Sequence, residues 1–217
     1  MIVRKQRVKR IIAKLKKLFP HAKIALKYIT NWELLVSVIL SAQCTDVMVN
    51  TVTAKLFKKY NKFDDYLNAN NDEFEQDIRS TGFYRNKTKN ILAAAQKIKN
   101  DFNRKIPQIM EELLTIPGVA RKTANVVLGN AFQIYEGIAV DTHVKRFAQK
   151  FDLTDSSDPL KIEKDLMKIV PKNDWFKITY MLIEYGRQIC PARKHDCTNH
   201  PLTKIYPKAS QIWPEAK

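Results

Sequence analysis

The sequence contains little of what several protein classes require. Its 217 residues include only 5 glycines and 3 cysteines, which excludes collagen-like, low-complexity and disulfide-scaffold proteins. No apolar run approaches the roughly 18 residues of a membrane span, and the longest, residues 34–40, contains a serine. Hydrophobic residues make up 45% of the chain, enough for the core of one large or two small domains. We therefore expect a soluble globular protein that has no membrane partner.

Positive charge, by contrast, is in large excess. The chain has 38 Lys and Arg against 22 Asp and Glu, a formal net charge of +16. The field of such a chain attracts polyanions and speeds their encounter with it. Nucleic acid is the leading partner, and a basic surface without a specific partner is the alternative.

Apolar residues recur at helical spacing nearly throughout, which predicts an all-α fold. Thr30 and Glu33 have the spacing of a capping box, and Asp158 followed by Pro159 marks another helix start. Helices are expected over residues 34–40, 47–59, 86–100, 107–114, 120–130, 143–150, 159–169 and 175–188. Residues 68–72 and 152–158 are expected to be loops.

The basic N-terminal segment, residues 1–19, has two interpretations. Its composition is like that of a mitochondrial presequence. Its apolar residues lie near helical spacing and run on into the next segment, which favours an ordinary first helix with a solvated basic face. These apolar residues are Val3, Ile11, Ile12, Leu15 and Leu18.

A turn separates two helical patterns at residues 116–124, IPGVARKTA. Pro117 ends the first helix, Gly118 allows a tight reversal, and Ala120 is expected to begin the second helix with a helical backbone. The unpaired N–H groups of a helix start can hold a phosphate. An ordinary helix–turn–helix connection has the same pattern, so both interpretations stay open.

Three further segments accompany this hairpin in a fixed order: LSAQCTD at 40–46, GFYRNK at 82–87 and VDTHV at 140–144. Together the four blocks resemble the helix-hairpin-helix DNA glycosylase superfamily, above all its endonuclease III branch. The resemblance implies two helical lobes with a central cleft. Residues 24–134 would form a six-helix lobe that includes the hairpin, and residues 1–23 with 135–217 a second, discontinuous lobe.

The resemblance also implies a reaction, the removal of damaged bases, expected to be oxidised pyrimidines, in DNA base excision repair. Lys122 would attack C1′ of the damaged nucleoside, form a Schiff base and nick the strand by β-elimination. Asp141, facing Lys122 across the cleft, would stabilise charge on the sugar or help activate the amine. Relatives that only cleave the glycosidic bond tend to carry Ser or Tyr in place of this lysine, so a bifunctional glycosylase and AP lyase is expected. On the residues alone, Lys122 could contact a phosphate and Asp141 could be a plain N-cap.

The same resemblance assigns contacts with double-stranded DNA that carries damaged or abasic sites. Base flipping leaves a gap, which Gln43 would fill by bonding the orphaned base and Phe83 by wedging into the stack; Phe83 packed on the core is the alternative. Asp46 and His143 could border the base pocket, and a local cap or a surface residue is the alternative for each. The remaining expected DNA contacts are Pro117, Gly118, Val119, Ala120, Arg121, Thr123, Arg187, Arg193 and Lys194. A monomer is expected, in the cytoplasm or on the nucleoid of a prokaryote, with a mitochondrial or nuclear location open.

The C-terminal region departs from the family pattern. Close relatives usually hold a [4Fe–4S] cluster with four cysteines, where this chain has Cys190, Cys197, His200 and Tyr206. Because a cubane ordinarily needs four thiolates, the sequence predicts that this region holds no cluster, no other metal and two unliganded thiols. A zinc site made by Cys190, Cys197, His200 and also His195 is the alternative.

A second departure is Ala120, where the family usually has glycine, and weaker DNA contact is the most that we expect from it. In relatives the hairpin carbonyls also bind a monovalent cation, which the resemblance extends to this chain. Two rival functions stay open. One is a non-catalytic helix-hairpin-helix protein that only binds DNA, and the other is a glycosylase for another lesion such as 8-oxoguanine.

Overall fold

A computed structural model describes residues 2–213 of the chain. The regular elements within these residues are all helical, so the all-α prediction is confirmed. In chain order the α-helices are α1 (Ile2–Leu18), α2 (Asn31–Leu40), α3 (Asp46–Lys59), α4 (Phe63–Leu67), α5 (Asn71–Ile78), α6 (Tyr84–Phe102), α7 (Met110–Leu113), α8 (Arg121–Val127), α9 (Thr142–Lys150), α10 (Pro159–Ile169) and α11 (Trp175–Gln188). A search of these helices finds none with the length and apolar character to cross a bilayer.

The chain divides into two compact units. One comprises Ala25–Ile134, and the other comprises Met1–Ile24 together with Tyr135–Lys217. The second lobe expected from the sequence includes residues 1 and 214–217, which lie outside the described residues.

The 25–134 unit is organised around α2. The capping box forms as predicted, because the Thr30 hydroxyl accepts from the Glu33 N–H at 3.1 Å and the Glu33 carboxylate accepts from the Thr30 N–H. Every residue of α2 from Leu34 to Leu40 is buried, and the helix packs against α3, α6 and α8. This burial of a largely apolar run, interrupted only by Ser37, places α8, which carries the hairpin lysine, on the core of its unit.

The other unit has a core formed by α1, α9, α10 and α11. Ile11, Ile12 and Leu15 of α1 are buried in it, as their helical spacing predicts, whereas Val3 is exposed. Helices α10 and α11 have the predicted bounds. The Asp158 carboxylate caps α10 by accepting from the Lys161 N–H at 2.9 Å.

Two predicted elements have the wrong extent. The expected loop over residues 68–72 is shorter, because α5 begins at Asn71 and the Asn70 side chain caps it by accepting from the Glu73 N–H at 3.1 Å. The apolar face of this helix consists of Phe74 and Ile78 alone, too few residues to give a clear period in an acidic segment. The helix expected over residues 107–114 is reduced to the four residues of α7.

Candidate functional site

The hairpin between α7 and α8 depends on a glycine. Gly118 has a φ of 79°, in the left-handed region, where a side chain is strained. A Cβ at this position would also lie 2.9 Å from Cβ of Asn90 in α6. The turn is closed by a hydrogen bond of 3.1 Å from the Val119 N–H to the Ile116 carbonyl. Gly118 therefore supplies both a backbone conformation and a close approach to α6.

Ala120 does not have the helical backbone expected from the sequence. It is the N-cap of α8, with φ −95° and ψ 172°, and so lies in the extended region that any residue adopts. Alanine is tolerated here because φ is negative, not because the residue is helical. The Ala120 carbonyl accepts from the Ala124 N–H at 2.9 Å, which forms the first bond of α8.

Lys122 is the second residue of α8 and is half-buried. Its neighbours Thr123 and Ala124 are buried, so the first turn of the helix is fixed against the core. A lysine that leaves such a turn starts from a rigid backbone, and only its own side chain torsions remain to be ordered when it reacts. This position suits a nucleophilic amine.

Asp141 is the N-cap of α9, in the unit that does not contain Lys122. Its Oδ1 accepts from the Val144 N–H at 2.8 Å. The segment before it is anchored, because the buried Thr179 hydroxyl of α11 donates to the Ala139 carbonyl at 3.0 Å. The carboxylate is half-buried and its cap uses one of its two oxygens. Capping and a role in catalysis are thus compatible at this residue.

Gln43 and Phe83 share an unusual backbone. Both are non-glycine residues with positive φ, 52° for Gln43 and 48° for Phe83, and such conformations persist only where the surrounding structure fixes them. Both side chains are exposed. Phe83 is 65% exposed, which excludes the alternative that it packs on the core. An exposed aromatic in a strained turn has the geometry that a wedge requires, and that role stays a prediction.

Lys87 is a residue that the sequence analysis missed. This α6 lysine is 4% exposed, and its Nζ donates to the Leu40 carbonyl at 2.7 Å and to the Thr81 carbonyl at 2.8 Å. Burial lowers the pKa of its ammonium group below the ordinary value. The lysine therefore ties the end of α2, just before Gln43, to the turn that carries Phe83.

The sequence did contain a signal for Lys87. On α6 the buried residues Ile91, Ala94 and Ile98 recur at helical spacing, and Lys87 continues their line toward the N-terminus of the helix. A lysine on the apolar face of a helix is buried with partners or reaches past the core with its charged end. The two carbonyls are partners from distant segments, which the spacing of residues along one helix cannot reveal.

The residues expected to contact DNA differ in how exposed they are. Val119 and Thr123 have buried side chains, and the N–H of Val119 is already used within the turn. Gly118 and Ala120 are exposed, and Pro117 and Arg121 are half-buried. In the other unit the cationic side chains Arg187, Arg193 and Lys194 are exposed. All members of the set remain predicted contacts.

The two pocket candidates each lie at a helix start. Asp46 is the first residue of α3, which Thr45 caps by accepting from the Met48 N–H at 3.3 Å. His143 lies in the first turn of α9 and packs directly on Gly186 of α11, where an added Cβ would collide with the imidazole. Gly186 thus lets the histidine approach α11 closely.

The prediction that this region binds no cluster and no other metal is contradicted, because it contains a group of donor atoms that could bind one. Cys190, His195 and Cys197 each offer a ligand atom, and these atoms lie within 4.8 Å of one another. Both cysteines are buried and free of disulfides. The region in which family members usually carry a [4Fe–4S] cluster therefore retains a donor set that could hold a metal.

Comparison with known proteins agrees with this geometry. The family model described as "HhH-GPD superfamily base excision DNA repair protein" matches residues 36–172, which include the hairpin, Lys122 and Asp141. The chain is 50% identical to endonuclease III of Synechocystis sp. over 96% of its own length and 95% of the relative's. It is 45% identical to endonuclease III of Bacillus subtilis, over 87% and 86% of the two chains.

Solved structures show the same fold. The chain is similar to endonuclease III in a trapped covalent intermediate with DNA, with a TM-score of 0.90, 41% identity and coverage of 95% and 97% of the two chains. The non-covalent endonuclease III–DNA complex matches equally well. A thermostable thymine-DNA glycosylase, at 20% identity and a TM-score of 0.81, shares the fold.

Proposed function

The chain belongs to the HhH-GPD superfamily of base excision DNA repair proteins, and from this premise we propose that Lys122 and Asp141 are its catalytic pair. The protein binds DNA and is a DNA glycosylase with AP lyase activity. The observation that supports the assignment is the position of Lys122, in the first turn of α8 directly after the hairpin. The trapped covalent intermediate of a similar endonuclease III with DNA agrees with an amine nucleophile of this kind.

Lys122 acts as the nucleophile. Its neutral amine donates an electron pair to C1′ of the damaged nucleoside, and the bond between C1′ and the base nitrogen breaks. The departing base keeps the bonding electrons and takes up a proton. Loss of a proton from the amine and opening of the sugar ring give a protonated Schiff base between Nζ and C1′.

The Schiff base then makes the strand break possible. It acidifies the protons on C2′, and when one is removed its electrons form the C2′–C3′ double bond while the C3′–O bond breaks. The DNA 3′ to the lesion leaves with a 5′-phosphate, and water releases the remaining sugar from Lys122. Asp141 lowers the energy of the positive charge that develops on the sugar, provided that its carboxylate stays ionised.

Borohydride trapping on an abasic-site duplex tests Lys122. Borohydride reduces the Schiff base to a stable amine, so wild-type protein is expected to give a covalent protein–DNA adduct. The Lys122→Gln variant should give none. Lys89→Gln, which replaces an exposed lysine of α6, is the matched control and should trap as wild type does. An undiminished adduct with Lys122→Gln would refute the assignment.

Asp141→Asn tests the carboxylate separately from the cap. Asparagine is as good an N-cap as aspartate, so the variant should keep the bond to Val144. Its free energy of unfolding should lie within about 0.5 kcal/mol of the wild-type value. Its glycosylase rate should fall roughly 10²–10³-fold, as when a group that stabilises developing charge is removed. Asp141→Ala, which also loses the cap, should be less stable by about 1 kcal/mol. A rate for Asp141→Asn close to that of wild type contradicts the catalytic role.

We further propose that the substrate is double-stranded DNA with an oxidised pyrimidine or an abasic site, bound by a monomer in the cytoplasm. Single-turnover cleavage of matched duplexes with either an oxidised pyrimidine or 8-oxoguanine measures the base preference, and faster release of the purine would favour the rival assignment. Because phosphate contacts release counterions, affinity should fall steeply with salt, by roughly 10³-fold between 50 and 200 mM for six contacts. A flat salt profile would argue against a basic DNA-binding surface.

A further inference from the structure

The segment after α11 gathers four side chains that can bind a metal: Cys190, His195, Cys197 and His200, which we call the Cys–His cluster. Ligand atoms of the first three lie within 4.8 Å of one another. The imidazole rings of His195 and His200 have their centroids 5.1 Å apart, which places His200 beside this group. Both thiols are almost fully buried, Cys190 at 0% and Cys197 at 1% exposure.

The two histidines have buried nitrogens without hydrogen-bond partners. His195 Nδ1 lies 2.7 Å from the Arg193 carbonyl, and in the tautomer that donates this bond Nε2 carries the lone pair. That Nε2 is buried and has no partner, and neither does Nδ1 of His200. Buried polar atoms are almost always satisfied. A histidine that donates one N–H to a carbonyl and keeps the other nitrogen free has the usual arrangement of a metal ligand.

The donor set suits a single ion. Two thiolates and two imidazoles are a usual tetrahedral zinc set, and Zn–S and Zn–N bonds of about 2.3 and 2.0 Å keep the donors about 3.3–3.8 Å apart. For Cys190, His195 and Cys197 the 4.8 Å limit is compatible with such a site after a small contraction. His200 is not within that group, and its ring, 5.1 Å from the His195 ring, would move in as the fourth ligand. A cubane instead needs four thiolates on four irons, and a Rieske centre puts its cysteines and histidines on different irons. His195 close to both sulfurs does not match either arrangement.

We propose that Cys190, His195, Cys197 and His200 bind one tetrahedral Zn²⁺ ion. All four coordination positions are filled by protein, so no position is left for substrate and the ion is structural. It joins the end of α11 to the segment that follows. The proposal concerns this segment alone and does not depend on the assignment of Lys122 and Asp141.

Two cations support the proposed site. Arg146 donates to the Cys190 carbonyl at 2.8 Å, and another of its nitrogens lies 3.9 Å from the Cys190 sulfur. The buried Lys150 donates to the Ile212 carbonyl at 2.8 Å and lies over the Trp213 ring, which forms a T-shaped pair with His195. These contacts hold the backbone at Cys190 and the ring of His195 in place around the proposed ion.

Metal analysis of the tag-free full-length protein, expressed with both zinc and iron supplied, tests the proposal. We expect about one zinc per chain, with iron and acid-labile sulfide far below stoichiometric amounts. Cys190→Ser and Cys197→Ser should each lose the zinc, whereas Cys44→Ser, which removes a thiol outside the cluster, should retain it. Stoichiometric iron with sulfide, or protein without metal, would overturn the proposal.

Thiol counting on wild-type protein covers the case in which the cysteine variants fail to fold. Of its 3 cysteines, only Cys44 should react rapidly with a thiol reagent while zinc is bound, and all three should react after a strong chelator is added. If the chelator does not change the number of thiols that react, the metal site is contradicted.

Cobalt substitution tests the geometry and the fourth ligand. Wild-type protein should give the intense visible bands of tetrahedral Co²⁺ together with thiolate charge-transfer absorption, and a weak octahedral spectrum would overturn the proposal. His200→Ala should weaken zinc binding by more than the roughly 10–100-fold that loss of an outer partner costs. His21→Ala, an exposed histidine elsewhere in the unit, should bind zinc as wild type does. Unchanged affinity in His200→Ala would remove His200 from the ligand set and so refute the four-ligand site.

Discussion

Replacement of Lys87 by methionine should both destabilise the protein and lower its affinity for DNA. The lysine donates to two buried carbonyls at 2.7 and 2.8 Å, and hydrogen bonds from charged groups contribute about 1.5–3 kcal/mol each. Methionine fills a similar volume and donates to neither carbonyl. Methionine also avoids the free-energy cost of burying an ammonium group, which offsets part of the lost hydrogen-bond energy. We therefore expect a net destabilisation of about 2–4 kcal/mol.

Chemical denaturation monitored by circular dichroism measures this effect. In a protein of this size a loss of 3 kcal/mol lowers Tm by about 6–12 °C. Lys89→Met is the matched control, because it makes the same change at an exposed position two residues along α6, and it should lie within about 0.5 kcal/mol of wild type. If Lys87→Met were as stable as this control, the two hydrogen bonds would have no net stabilising role.

DNA affinity measures a second effect of the Lys87→Met substitution, separate from its effect on stability. The bonded carbonyls lie just before Gln43 and Phe83 along the chain, and both of these residues have strained left-handed backbones. Ordering one residue's backbone costs about 1–2 kcal/mol. Loss of preorganisation at one such residue should therefore weaken binding to an abasic-site duplex about tenfold, which corresponds to about 1.4 kcal/mol. An affinity equal to that of Lys89→Met would refute preorganisation even if stability falls.

Three further outcomes are expected. Phe83→Ala removes an exposed ring, so stability should change by less than about 0.5 kcal/mol, while duplex affinity should fall about tenfold in a binding titration; unchanged affinity would exclude the wedge. Gly118→Ala forces a side chain into a left-handed backbone and against Asn90, so denaturation should show a loss of about 2–3 kcal/mol, and a loss below 1 kcal/mol would contradict the tight approach. At Asp152, burial raises the carboxyl pKa, but hydrogen bonds from two α1 arginines lower it more, leaving it below 3.8. The contribution of this carboxylate is therefore present above about pH 4 and lost as the pH falls through the lower folded pKa. Asp152→Asn should cost about 1 kcal/mol at pH 7, and a deficit that did not shrink toward pH 2 would refute the charge interaction.

The sequence was most informative where local and long-range requirements agree. Helices α10 and α11 were predicted with correct bounds, because for α10 a capping aspartate, a proline at the first position and a regular apolar face all indicate the same start. Gly118 was identified for a similar reason, since few residues other than glycine adopt its φ. The close approach of Asn90, which also requires a residue without a Cβ at position 118, was not predictable, because it depends on how α6 packs against the hairpin.

The features that escaped prediction depend on distant partners. Lys87 binds the carbonyls of Leu40 and Thr81, and no local pattern shows that these converge. The metal-binding group was only the alternative to the predicted unliganded thiols, for a related reason. His195 is only two residues from Cys197, a spacing that is unusual for a pair of ligands along a regular element. The irregular backbone after α11 brings their donor atoms together, with Nδ1 of His195 held by the Arg193 carbonyl.

Attachment of the C-terminal segment does not depend on a metal alone. Arg146 holds the Cys190 carbonyl and Lys150 holds the Ile212 carbonyl, and both cations project from α9, whose Phe147 and Ala148 are in the core. These bonds fix the segment at its two ends, near residues 190 and 212, whereas the proposed zinc ligands fall between residues 190 and 200. Loss of the ion would therefore free the stretch from Ala192 to His200 first, because most of its residues are exposed, whereas Arg146 still holds the Pro191 carbonyl. Arg193 and Lys194 lie in that stretch, so the ion would act on DNA binding by holding two predicted phosphate contacts in place, without touching the reacting sugar.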